Sequence, residues 1–252
     1  MKNLLMESLL EEDNIVKVLN SIRDGEAEYR QHVIDDNLPT ENGKYHERWN
    51  YIFKYIKYSF NIYPYRTCII SRGPLWSFIV IYDEIKKTLY VLMKEERLKD
   101  IKNTKGNDNH YIKTLNYKNN KYADQSYEQL SFLNEDNNKK EYIEDDLRGM
   151  LEEINDKVEL CVNIIFSEKK GKVVSMSGNV YDYNLNLITT ECWNKYIKAD
   201  IDDIDDISVD NDENPLINLP IKKPFINNES TQKEEEELAK DKENSKKYTS
   251  DR

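Results

Sequence analysis

The sequence predicts an α+β fold: antiparallel strands in a helix-βββ-helix-βββ order, with an N-terminal helical segment and a disordered C-terminal tail. Three observations carry this reading. Apolar residues recur three and four apart within the first sixty positions, two trios of short β-favouring runs are joined by tight turns, and the charge balance breaks near residue 200.

The charge break sets the domain boundary. Of the net charge of −11, the segment Asp200 to Arg252 carries −8, from 16 acids and 8 bases, and residues 1–199 carry −3. The run Asp200 to Glu213 holds eight acids and no base, and Glu234 to Glu237 is followed by Lys240, Lys242, Lys246 and Lys247. Low hydrophobicity with high charge does not offset the entropy of ordering, so 200–252 reads as a disordered tail with at most a short helix near 231–242. The body, 1–199, reads as one α+β domain large enough to bury roughly 70% of its unfolded surface. Its strands form either one continuous sheet or two βββ sub-sheets, over 25–100 and 144–199.

In chain order, Leu4, Leu5, Leu9, Ile15, Val18, Leu19 and Ile22 predict one or two amphipathic helices over 2–24, ending before Gly25. A polar connection, Asp35 to Gly43, leads into a second helix over 44–60, on which Trp49, Ile52, Phe53, Ile56 and Phe60 share a face. Pro64 ends it. Arg66 to Ser71, Ser77 to Tyr82 and Thr88 to Met93 then form a meander. Ile69-Ile70 and Ile79-Val80-Ile81 are apolar at consecutive positions, so both sheet faces need covers, and the two N-terminal helices are the expected ones. Lys99 to Lys140 is polar, with a short helix near His110 to Tyr117, and is expected to be the most mobile part of the body. Asp145 and Asp146 precede Leu147, Met150, Leu151 and Ile154, predicting a helix over 144–156 with acids in its first turn. Three strands follow: Val158 to Phe166, Lys172 to Val180 and Leu185 to Trp193. The first alternates as a half-buried antiparallel strand would.

Composition excludes several classes. With 7 Gly, 6 Pro and 3 Cys there is no collagen-like or disulfide-scaffold character, and no run of apolar residues is long enough to span a membrane. The N-terminal dozen residues, broken by Glu7, do not read as a signal peptide. Cys68, Cys161 and Cys192 are widely spaced in apolar strand-like runs, which predicts buried free thiols in a reducing cytoplasm. No phosphate-cradling glycine loop, nucleophile elbow or zinc spacing is present, so no cofactor or metal is expected. Asp200-x-Asp202-Asp203-x-Asp205-Asp206 lacks the glycine and glutamate that close a calcium loop.

One constellation remains. Arg72 ends the first central strand, Asp83 the second, and Lys94-Glu95-Glu96-Arg97 leaves the third. Continued alternation puts Glu95 on the side of Leu89, Val91 and Met93, where a carboxylate beside Arg72 or Arg97 is suited either to a structural salt bridge or to acid–base work. These strand-end charges are expected to converge in one solvent-reachable hollow. The catalytic candidates are Glu95 as base and His110 as acid; Arg72, Trp76, Lys94, Arg97 and Tyr111 are the binding candidates. Between Lys86 and Lys121 ten bases face four acids, with Tyr90, Tyr111, Tyr117 and Tyr122 interleaved. Such a strip suits a phosphate backbone or an ordinary solvated surface, and the acidic tail is suited to folding over it.

Asn42-Gly43 with Trp49-Asn50, Arg72-Gly73-Pro74 with Trp76, Ile81-Tyr82-Asp83, Leu89-Tyr90 with Met93-Lys94-Glu95-x-Arg97, His110-Tyr111 and Trp193-x-x-Tyr196-Ile197 occur in an order that resembles domain-of-unknown-function family 5986, found in low-GC Firmicutes, phages and mobile elements. The resemblance covers about 1–200. The chain departs from the family's pattern at Leu75, which separates Pro74 from Trp76. It implies a cytosolic bacterial or phage protein of a prophage or defence-type locus and brings no activity. The expected function is a non-enzymatic interaction or regulatory protein with a protein partner. The alternative is a metal-independent enzyme that cleaves or modifies nucleic acid.

Overall fold

In the computed structural model the described residues are 9–37, 40, 43–74, 76–104, 110–123 and 137–197. The tail reading, with its short helix, lies outside them. The elements are α1 (Glu12–Asp36), α2 (Lys44–Phe60), β1 (Tyr65–Ser71), β2 (Ser77–Asp83), β3 (Thr88–Lys94), α3 (Glu95–Asn103), α4 (Tyr111–Asn116), a 3-10 turn (Tyr117–Tyr122), α5 (Asn137–Leu151), a second 3-10 turn (Glu152–Lys157), β4 (Leu160–Lys169), β5 (Lys172–Tyr181), β6 (Leu187–Cys192) and a last 3-10 turn (Asn194–Tyr196). Among them, no helix is long and apolar enough to cross a membrane.

The strands form one six-stranded sheet in the order β1-β2-β3-β4-β5-β6, which settles the choice between one sheet and two. Neighbours are antiparallel except β3 and β4, which run parallel with Thr88 opposite Leu160 and Lys94 opposite Phe166. A parallel pair requires a crossover, and the chain from Glu95 to Lys157 supplies it. β4 is therefore central and buried on both faces, where alternation predicted a half-buried antiparallel strand: Leu160, Val162, Ile164 and Phe166 face one way, and Cys161, Asn163 and Ile165 the other.

Each face has its own cover. Ile15, Val18 and Ile22 of α1 and Ile52, Ile56 and Phe60 of α2 pack with Ile81, Tyr90, Val162 and Ile164. Leu98 and Ile101 of α3, Ile112 and Leu115 of α4, and Leu147 and Leu151 of α5 pack with Val80, Leu89, Val91 and Ile165. The two N-terminal helices thus cover one face, and the crossover covers the other. Length explains the correction: a parallel connection carries enough chain to make its own layer.

Two helix boundaries also move. α1 runs from Glu12, after buried Leu9 and Leu10, and passes through Gly25 to a left-handed Asn37, while 2–8 of the predicted helical segment lie outside the described residues. Gly25 lies where α1 meets α2; an added Cβ would stand 2.6 Å from the Cα of Ile52. This glycine permits close helix packing and ends nothing. α5 begins at Asn137, so Asp145 and Asp146 lie in its body, freeing Asp146 for a tertiary role. α3 and α4 hold much of the segment expected to be mobile; 105–109 and 124–136 of it lie outside the described residues.

The crossover is fastened by amide side chains. Asn119, fully buried, donates from Nδ2 to the carbonyls of Cys161 and Tyr181 (2.8 Å each), and its Oδ1 accepts the N–H of Cys161 at 2.9 Å. The β4–β5 ladder runs from Asn163 opposite Asn179 toward the hairpin turn, so Asn119 replaces backbone bonding where the strands part. Asn163 Nδ2 donates to Asn116 Oδ1 (2.8 Å), and Asn119 Nδ2 reaches the same oxygen at 3.1 Å. Asn119→Ala orphans buried backbone groups, and unfolding midpoints are expected to show a loss of about 3 kcal/mol. Gly25→Ala is expected to cost about 1–3 kcal/mol by overpacking. Gly149→Ala, on α5 with nothing within 4 Å of an added Cβ, is expected to gain about 0.5–1 kcal/mol in the same measurement.

Candidate functional site

The sequence-predicted residues fall into three places. The first lies where the β1–β2 turn meets α4 and α5. The backbone N–H of Arg72 donates to the carbonyl of Trp76 at 2.8 Å, closing the turn, and its guanidinium pairs with Asp146 Oδ1 at 2.7 Å. Asp146 Oδ2 accepts from the Thr114 hydroxyl at 3.2 Å, so one carboxylate ties β1, α4 and α5 together. The Trp76 indole donates to the Tyr111 hydroxyl; burial pushes that phenol up to about 12. Tyr111 packs on Phe78 at 4.6 Å and on His110 at 4.5 Å between ring centroids.

His110 caps α4: its Nδ1 accepts the N–H of Ile112 at 3.3 Å, which leaves the ring proton on Nε2. Burial, then the positive charges of Arg97, Arg72 and Lys113, hold the imidazole down at about 4. The cluster therefore presents a neutral donor ringed by cations.

Glu95 lies elsewhere. β3 stops at Lys94 and α3 begins at Glu95, so the period changes from 2 to 3.6 at that residue. Two positions along a helix correspond to about 200°, which turns Glu95 and Arg97 to opposite sides of α3. Arg97 acts on His110, whereas Glu95 pairs with Lys99 (2.8 Å) and lines a hollow with Tyr181. The structure does not bring Glu95 and His110 together.

Lys94 lies on the far sheet face. Its ammonium meets Glu168 Oε2 at 2.6 Å; Glu168 also takes Arg48, which reaches Glu26, which in turn takes Arg30 at 3.2 Å. This chain of ion pairs binds the β4–β5 hairpin to α1 and α2. Asp83, at the opposite end of β2 from Arg72, caps the β2–β3 turn by accepting the N–H groups of Ile85 and Lys86 at 2.9 Å each. The strand-end charges are thus distributed over separate places, and so is the basic strip: Lys87 pairs with Glu159 (2.7 Å), Lys86 with Glu11 (3.3 Å), and Tyr90 is buried.

The hollow, about 390 Å³, lies between α3 and the strands β5 and β6. Lys102, Ser175, Ser177 and Asn194 line it, and composition signalled none of them, because Lys, Ser and Asn are common throughout this chain. Cys192 also lines it and is exposed, and Cys68 is half-buried, so of the three thiols expected to be buried only Cys161 is. β6 is an edge strand, which explains the exposure of Cys192. Among the described residues no three His, Cys, Asp or Glu side chains gather as metal ligands do.

The depressed imidazole has a consequence for stability. Between pH 6.5 and about 4 the unfolded chain binds a proton at His110 that the folded chain refuses, so this contribution is complete above pH 6.5 and is lost as pH falls toward 4. Urea midpoints of the wild type are expected to fall more steeply across that window than those of His110→Gln; parallel curves would show that His110 does not titrate differently in the two states.

No curated protein and no solved structure matches the chain. One family model does, over residues 7–240, and its description is a family of unknown function (DUF5986). The match spans the helical layers, the whole sheet and all three places described above, and the chain belongs to this family.

Proposed function

We propose that the protein is a non-enzymatic interaction or regulatory protein of the cytoplasm, acting on a protein partner at a mobile-element or defence-type locus, the setting its sequence resemblance implies. The observation that carries the reading is the division of the acid–base pair: Glu95 and Arg97 leave α3 on opposite sides, and His110 is engaged as a helix cap. An imidazole held neutral with its Nδ1 occupied has one N–H to offer, and the charges that act on it among the described residues are cations.

The surface supplies a place for a partner. Among the described residues β1 is an edge strand with no strand on its outer side, and Ile69 on it is 65% exposed. Tyr58, Ile62 and Tyr63, just before β1 in the chain, are also exposed. An open edge with apolar side chains is suited to receiving a strand or an apolar segment of another chain.

Ile69→Lys is expected to abolish co-purification of the partner with the full chain from native lysate, while Val174→Lys on β5 leaves it unchanged. Equal recovery with both variants would overturn the edge assignment. Cleavage of single- or double-stranded nucleic acid by the purified chain, lost in both Glu95→Gln and His110→Ala, would replace the interaction reading with the enzymatic one.

A further inference from the structure

We propose that the hollow between α3 and the β5–β6 strands binds a phosphate-bearing ligand, with the Lys102 ammonium as its charged anchor and Ser175, Ser177 and Asn194 as neutral donors. The inference goes beyond the interaction reading and does not depend on it, since a phosphate site is compatible with a regulator and with an enzyme alike.

Among the described residues the hollow lies where the crossover helices leave the outer strands uncovered. α3 packs on β3 and β4, and β5 and β6 extend past it. On the side facing α3, β5 carries Ser175, Ser177 and Asn179 where the central strands carry Val, Leu and Ile. Such a floor is unsuited to an apolar cover and suited to hydrogen bonding. Its volume, about 390 Å³, lies in the range of small-molecule sites and exceeds what a bare ion fills.

The charges in the wall do not cancel. Glu95 takes Lys99 at 2.8 Å, a local pair that neutralises itself. Lys102, one turn further along, has no carboxylate within ion-pair distance among the described residues; its ammonium stands 4.5 Å from the centroid of the Tyr181 ring. Desolvation lowers its pKa, and Asp182 is the charge that opposes this. Lys87, Lys94 and Lys99 each meet a carboxylate. One cation, beside an aromatic face, thus lines the hollow with no carboxylate at ion-pair distance among the described residues.

The neutral groups are already oriented. Asn194 Oδ1 accepts the N–H of Met176 at 2.9 Å, which fixes the amide and turns its NH₂ outward as a donor. Ser177 accepts from Asn179 Nδ2 at 2.9 Å, leaving its own hydrogen to give. Ser175 shares a hydroxyl contact with Ser167 at 2.5 Å. Several donors around one ammonium suit the many acceptor oxygens of a phosphoryl group, for which lysine serves as a point charge. The phosphate is carried either by a small molecule or by a polynucleotide backbone.

The test uses the full chain and three probes: inorganic phosphate, a nucleoside monophosphate and a single-stranded homopolymer. The readouts are the backbone amide resonances of Ser175, Ser177 and Asn194 and the rate at which a thiol reagent labels Cys192. Saturable shifts and slower labelling are expected, weakened roughly tenfold or more in Lys102→Ala and unchanged in Lys87→Ala. Glu95→Gln is expected to tighten binding by roughly threefold, by removing a like charge from the wall. A response to the homopolymer alone assigns the phosphate to a polynucleotide and overturns a small ligand. No response to any probe, or equal responses of wild type and Lys102→Ala, overturns the proposal.

Discussion

The parallel pairing of β3 with β4 is the constraint from which the rest of the molecule follows. Two strands that run the same way need a long return, and this return is long enough to become a layer of its own. Both central strands are then sealed, β3 and β4 being buried almost throughout. The seal contains one polar device. Asn119 enters between the parting ends of β4 and β5 and satisfies three backbone groups that no strand partner reaches. Buried amides are costly when unsatisfied and directional when satisfied, so this network fixes where the crossover sits as hydrocarbon packing alone does not.

The position of α3 decides what the strand-end charges do. A strand that continued past Lys94 would carry Glu95 and Arg97 on one side, in company with Met93. The helix begins instead, and three neighbouring residues are dealt to three environments: Lys94 to the ion-pair chain under α1 and α2, Glu95 to the hollow, Arg97 toward His110. The paired charges are arranged to fasten elements together. Arg48 takes both Glu26 and Glu168, and Asp146 takes both Arg72 and Thr114, so each joins segments distant in sequence. Partly buried pairs of this kind are weak sources of net stability, and breaking one by removing a single partner leaves an uncompensated charge.

Much of the fold was legible because its signals are local. Trp49, Ile52, Phe53, Ile56 and Phe60 mark α2 to the residue, and the six strands lie within two or three residues of where β-favouring runs and tight turns place them. Signals that depend on a distant partner were not legible. Gly25 has the sequence character of a helix stop and is a contact with Ile52. α3 offers two apolar positions, Leu98 and Ile101, too few for a period to show. Nothing within β4 distinguishes a parallel neighbour from an antiparallel one, since its alternation is overwritten by burial on both faces. Of the candidate site, Arg72, Trp76, His110 and Tyr111 do gather with Arg97 acting on them, because a turn and a short helix meet there. Asn116 and Asn119 were hidden by a composition in which asparagine is abundant.

The two sheet faces differ in how completely their charges are matched, and the difference has a geometric source. Under α1 and α2 the helices meet along their lengths, and the ion-pair chain from Arg30 through Glu26, Arg48 and Glu168 to Lys94 alternates sign at every step. On the crossover face α3 and α4 are short, and among the described residues the outer strands reach beyond them. Among the described residues a cation at that margin meets no carboxylate of a second helix, and an aromatic ring is what the sheet offers, as Tyr181 does for Lys102. At this margin of the sheet Lys102 therefore stands beside oriented neutral donors. The same shortfall in cover that opens the hollow gives it its chemistry, so the site is a consequence of the topology that α3 and the parallel pair impose.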